Sequence, residues 1–226
     1  MDLTYQWLYD TVRKRFDSEQ AMESFLPQVL TAEQLQHKTD DRYLSAMTLR
    51  VFQAGMQHTV VEAKWPAFEK AFSGFQPEAM VLLDDEDIQQ HMQDPRIIRH
   101  LVKLQSIPKN ARFILDIRQD QGSFGAFIAN WPDTDTIGLW RLLGQRGARL
   151  GGRSAAGFLR LAGKDTFFLT SHVVERLVTA GIIARTPTSQ RDLQTVQNTF
   201  NALQQESGRP LCQLSSMLAL SIHPAF

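Results

Sequence analysis

Between Ile137 and Lys164 the chain carries Arg141, Arg146, Arg149, Arg153, Arg160 and Lys164, and no Asp or Glu. The middle of this stretch, RGARLGGRSAAG (residues 146–157), is punctuated by glycine and followed by small residues. Apolar helical periodicity flanks it on both sides, so the chain has to turn back on itself between two helices that approach closely. Glycine permits the positive φ that such a turn requires, and Ser154, Ala155 and Ala156 let the second helix pack against the first. The amides at the start of that second helix then face outward with a partial positive charge, a natural seat for an anion. A tight hairpin with a solvated basic face explains the glycines equally well. The missing acids favour a polyanion, with Arg146, Gly147, Arg149, Gly151, Gly152, Arg153 and Ser154 as the phosphate-contacting set.

This concentration of charge is local. The 226 residues hold 24 Lys and Arg against 24 Asp and Glu, so net charge favours no partner. At 43% hydrophobic and 21% charged, the composition is that of an ordinary globular protein. A single cysteine, Cys212, excludes a disulfide framework and a thiolate-rich metal site. No signal architecture opens the chain and no apolar run is long enough to span a bilayer, so the expected compartment is the cytoplasm, with no membrane partner.

Helical patterning runs through the rest. Leu3, Trp7, Leu8 and Val12 form one apolar stripe, and Tyr43, Leu44, Met47, Val51 and Phe52 another. Helices are also expected over residues 85–91, 136–143, 152–162, 171–180, 189–205 and 211–220. Residues 97–117 read as two helices, or as one interrupted near Pro108. Asp40 and Asp41 are expected to cap a helix beginning at Arg42, and Asp84 to Asp87 to supply acidic charge at a helix start. The best strand signal, residues 166–169, is short enough to be a turn. The fold class is all-α.

Four separated stretches resemble one family. They are DDRYLSAMTLRVFQAG (residues 40–55), RIIRHLVKLQSIPKNARFIL (96–115), RGARLGG with the helix after it, and LTSHVV (169–174). Together they resemble the 3-methyladenine DNA glycosylase I family of the helix-hairpin-helix DNA glycosylase superfamily. The resemblance implies two helical lobes around a cleft, within a single glycosylase-like domain over residues 1–226 whose hairpin lies at about 141–162. It implies base excision repair: hydrolysis of the N-glycosidic bond of an alkylated purine, with 3-methyladenine foremost, in double-stranded DNA containing a damaged base. A monomer without a cofactor suffices for this.

The departures bear on chemistry. Where the family uses a glutamate before QAG to recognise the methylated base, this chain has Arg50, and where a tryptophan typically follows QAG it has His58. The superfamily's catalytic aspartate corresponds to Thr170. Of the family's zinc ligands only His172 is matched, and Arg176 replaces a cysteine, so no metal is expected. No lysine nucleophile is evident, which implies a monofunctional enzyme. Arg50, Phe52 and Gln53 are then the base-pocket candidates, His58 and Glu62 the catalytic ones, and Lys109 and Asn110 an extension of the DNA contact. Phe52 at helical spacing also suits a core position, and Gln53 a helix end. The alternative function is a DNA-binding protein that keeps the fold and has lost or changed its chemistry.

Overall fold

A computed structural model of the chain describes residues 3–222. Its α-helices, in chain order, are α1 (Tyr5–Arg13), α2 (Glu19–Phe25), α3 (Ala32–His37), α4 (Asp40–Gln53), α5 (His58–Ala71), α6 (Pro77–Met80), α7 (Asp85–His91), α8 (Leu101–Leu104), α9 (Ser106–Gln121), α10 (Phe124–Asn130), α11 (Thr136–Arg146), α12 (Arg153–Ala162), α13 (Ser171–Thr179), α14 (Gln190–Ser207) and α15 (Leu211–Leu220). There is no strand among the described residues, and residues 166–169 are irregular. No helix there is long and apolar enough to cross a membrane.

The helix ends follow from local chemistry. The hydroxyl of Ser189 accepts the Asp192 amide and Gly208 closes α14 in the left-handed region. Asp84 caps α7 in a reciprocal capping box with Asp87. Of the two readings of residues 97–117, the two-helix one holds: α8 ends before Gln105, and Pro108 sits in the first turn of α9, where a missing N–H has no intrahelical partner to lose. Two expectations need correction. Helix α4 begins at Asp40 rather than Arg42, behind Thr39. Asp40 accepts the Phe124 amide at 3.1 Å instead, while Asp41 pairs with Arg42. The helix expected over residues 136–143 continues through Gly144 to Arg146.

The chain divides into two compact units. The larger comprises residues 30–131 and 139–164. Its core is built on α4, against which α5, α9, α10 and α12 pack. Tyr43, Phe52, Phe68, Phe72, Phe75, Phe124 and Phe158 are fully buried in it, and Trp65, Phe68, Phe72 and Phe75 form a stacked run of rings. Helix α10 lies so close to α3 that a Cβ on Gly125 would come within 2.5 Å of the Leu35 carbonyl oxygen, a backbone atom with nowhere to go. Ser73, Gly74 and Phe75 all have positive φ. Arg42 holds that turn by donating to the Gly74 carbonyl at 2.7 Å and gripping Glu69 with both terminal nitrogens, at 3.0 and 2.9 Å.

The described residues of the second unit are 3–29, 132–138 and 165–222. Helices α1, α13, α14 and α15 enclose Leu8, Val12, Leu177, Phe200 and Met217, and Phe167 stacks on Phe200 at 4.2 Å between centroids. Asp165 accepts the amides of Leu211 and Cys212 at 2.8 and 2.9 Å, capping α15 from outside its own segment. Arg176 donates to the hydroxyl and the carbonyl of Ser221 and lies over the Trp7 ring. The guanidinium thus ties α13 to α1 and to the end of α15.

Candidate nucleic-acid interface

The hairpin is α11, a six-residue turn over 147–152, and α12. Gly144 is inside α11, and its role is close approach rather than termination: a Cβ there would meet the Gly151 Cα at 3.3 Å. Leu150 is the turn's apolar peg, fully buried. Gly152 takes φ +57° and ψ −131°, a conformation closed to other residues, and precedes α12 without a side-chain cap. Arg149 has φ +62° although it is not glycine. The turn is therefore held in a strained shape with its basic side chains outward: Arg146, Arg149 and Arg153 are exposed, and Ser154 is half-buried.

What holds the turn is Asn110. Its carboxamide is fully buried, accepting the Ala148 amide at 2.7 Å and donating to the Ala148 carbonyl at 3.2 Å. Asn110 was expected to touch DNA; instead, both ends of its amide are used on the hairpin's own backbone. Lys109, its neighbour, is exposed and lines an open depression of about 510 Å³ beside Asp84 and Asp85. Arg146 rests over Phe113 at 5.2 Å, 3.9 Å from Asp116. Lys164, counted above with the basic stretch, is buried and donates to the Trp131 carbonyl.

The expected base-pocket residues divide. Phe52 is fully buried, edge-to-face with Phe68 at 4.8 Å, and is a core ring rather than a stacking platform for a base. Gln53 is buried and donates to Glu62 at 3.0 Å, joining the end of α4 to α5. His58 and Glu62 are exposed one turn apart on one face of α5. Arg50 is half-buried. Its guanidinium lies against α12 at Gly157, and its Nε is sealed from solvent without a hydrogen-bond partner. Burial, with the charge of Arg153 behind it, pushes the Arg50 guanidinium below the usual arginine range.

Lys103 is a residue that sequence reasoning passed over. It is buried and donates to the carbonyls of Phe52 at 3.1 Å and Ala54 at 2.7 Å, an ammonium on the negative end of α4. Burial, then the charges of Arg149 and Arg50, push it below the usual lysine range. Its only signal in the sequence was its place inside the second family-like stretch. In the smaller unit, Thr170 accepts the Val173 amide as the N-cap of α13. Among the described residues no three His, Cys, Asp or Glu side chains gather as a metal site would require.

The all-helical fold with its glycine-built basic hairpin is similar to that of helical DNA glycosylases. The DNA-bound 8-oxoguanine glycosylase/lyase of Methanocaldococcus jannaschii shares the fold, with a TM-score of 0.53, 14% identity and coverage of 95% of this chain and 96% of that one. Residues 33–141 match the model of the methyladenine glycosylase family. The 3-methyladenine DNA glycosylase I of Staphylococcus aureus is similar at 27% identity and a TM-score of 0.51, over 63% of this chain and 82% of that chain. DNA-3-methyladenine glycosylase 1 of Escherichia coli (strain K12) is 34% identical over 92 residues, 40% of this chain and 49% of its own. The chain thus spans about half the length of that curated relative.

Proposed function

We propose that this protein is a base-excision glycosylase that grips duplex DNA at the α11–α12 hairpin and hydrolyses the N-glycosidic bond of a damaged purine. The observation that carries the reading is the hairpin itself, strained, free of acids between Ile137 and Lys164, and locked by Asn110 before any ligand arrives. Arg149, Arg153 and the amides at the start of α12 hold the phosphates. The damaged base is extruded from the stack and read beside Arg50 and Gln53, with Phe52 as support from within the core. His58 and Glu62 orient the attacking water. Lys103 is committed to two carbonyls, which suits simple hydrolysis better than attack by an amine.

The relatives are named for 3-methyladenine, so methylated duplex DNA is the first substrate, with released bases identified by mass spectrometry. A released purine and an abasic strand are expected, and Glu62→Gln is expected to slow release by about 100-fold or more. Salt-sensitive DNA binding with no released base from any damaged duplex would leave a binding protein in place of an enzyme.

A further inference from the structure

We propose that Arg50 selects the base, so that this chain excises an uncharged 6-oxopurine, of which hypoxanthine is the simplest, ahead of a cationic methylated adenine. The inference rests on the glycosylase reading above and narrows its substrate.

The geometry begins at Gly157. Only a glycine there leaves room for the Arg50 side chain to lie along α12, since a Cβ would overlap its guanidinium end. Arg153 sits four residues earlier, on the same face of the helix. Lys103, fixed on the end of α4, lies within the field of both Arg50 and Arg149. Positive groups therefore gather around Arg50, and among the described residues neither Arg50 nor Arg149 makes an ion pair. Among the described residues the Arg50 side chain has no hydrogen-bond partner; its Nε is sealed against α12 at Gly157, so its two terminal nitrogens are the donors left to meet a ligand.

That ligand carries lone pairs and no positive charge. A 6-oxopurine presents O6 and N7 as two acceptors on one edge, the pair that a guanidinium fork matches. Adenine presents an amino donor in place of O6, and methylation of its ring adds a positive charge facing the Arg50 guanidinium. A phosphate also has acceptors, but exposed Arg149 and Arg153 suit the DNA backbone. The half-buried Arg50, held in its notch, is directional rather than steering.

The chemistry points the same way. As the C1′–N9 bond breaks, its electron pair leaves with the purine, while the oxygen of water bonds to C1′ and a water proton ends on the departing base. An uncharged purine departs as an anion whose charge spreads to O6 and N7, where the Arg50 donors meet it. A cationic purine is merely neutralised by the same electron pair and gains little from an arginine.

The test compares release of hypoxanthine and of 3-methyladenine from otherwise identical duplexes, using the full chain and its Arg50→Ala, Arg50→Lys and Arg50→Glu variants, with affinity for undamaged duplex measured alongside. Hypoxanthine is expected to be released faster by the native chain. Arg50→Ala is expected to slow that release by about 100-fold at little change in duplex affinity, with partial recovery in Arg50→Lys and a reversed preference in Arg50→Glu. Faster release of 3-methyladenine by the native chain, or undiminished hypoxanthine release by Arg50→Ala, overturns the inference and leaves the glycosylase intact. An Arg50→Ala loss seen equally in undamaged duplex affinity also overturns it, making Arg50 a phosphate contact. Release of neither base, with salt-sensitive binding retained, removes the glycosylase reading itself.

Discussion

The Arg50 guanidinium occupies the space that a side chain at Gly157 would need, so the end of α4 and the face of α12 share one side chain between them. The atoms in the way are the far end of a flexible arginine and not backbone. Gly157→Ala should therefore leave stability unchanged or raise it by up to about 1 kcal/mol through helix propensity, because Arg50 can move aside. Base release should fall nonetheless, as the guanidinium leaves its position. Thermal unfolding and single-turnover release on the same sample check both halves, and a loss of several kcal/mol would mean Arg50 is locked in place.

Removing the Asn110 amide strands both polar groups of Ala148. Asn110→Ala is expected to cost about 2–4 kcal/mol, since two buried hydrogen bonds vanish along with their buried partners' satisfaction. Denaturant unfolding measures it. Duplex affinity should fall together with stability, because the hairpin loses its anchor while all its arginines remain.

Arg149 separates charge from backbone strain. With φ at +62°, its replacement by glycine relieves left-handed strain worth about 1 kcal/mol, while Arg149→Ala keeps the strain. Both variants lose one positive charge. Both should bind duplex more weakly, with a shallower dependence on salt, yet Arg149→Gly should be the more stable of the two. Equal stabilities would show that the turn carries no such strain.

Glu69 gives a dependence on pH. Burial pushes its carboxyl up, but hydrogen bonds from Arg42 and Ser45 outweigh this and hold it below the usual carboxylate range. A lowered value in the folded state means stability that is present above the ordinary glutamate pKa and is lost as pH falls through the folded value. Glu69→Gln should cost about 1 kcal/mol at neutral pH, given the partial exposure of the pair. The gap in Tm between the two proteins should close on acidification from about pH 6 to about pH 3.

Much of this was visible in the chain as written. Glycine and arginine spacing marked the hairpin, and Ser189 and Gly208 marked the ends of α14, because turns and caps are local. What stayed hidden was long-range partnership. Asn110 looked like a DNA contact until Ala148, 38 residues on, turned out to use both ends of its amide. Lys103 finds its carbonyls 49 and 51 residues away, and Asp165 caps a helix 46 residues downstream. Phe52 could face inward or outward by its spacing alone, and the packing of Phe68 against it decides the matter.

The Asn110–Ala148 pair has one more effect, on timing. A loop that must fold around its ligand gives up conformational entropy at every encounter, and its capture rate carries that delay. The turn at 147–152 is held by Asn110 with its arginines exposed. Under the proposed function, encounters with a duplex are then governed by diffusion and by the ionic atmosphere, and release of one stretch and testing of the next require no refolding.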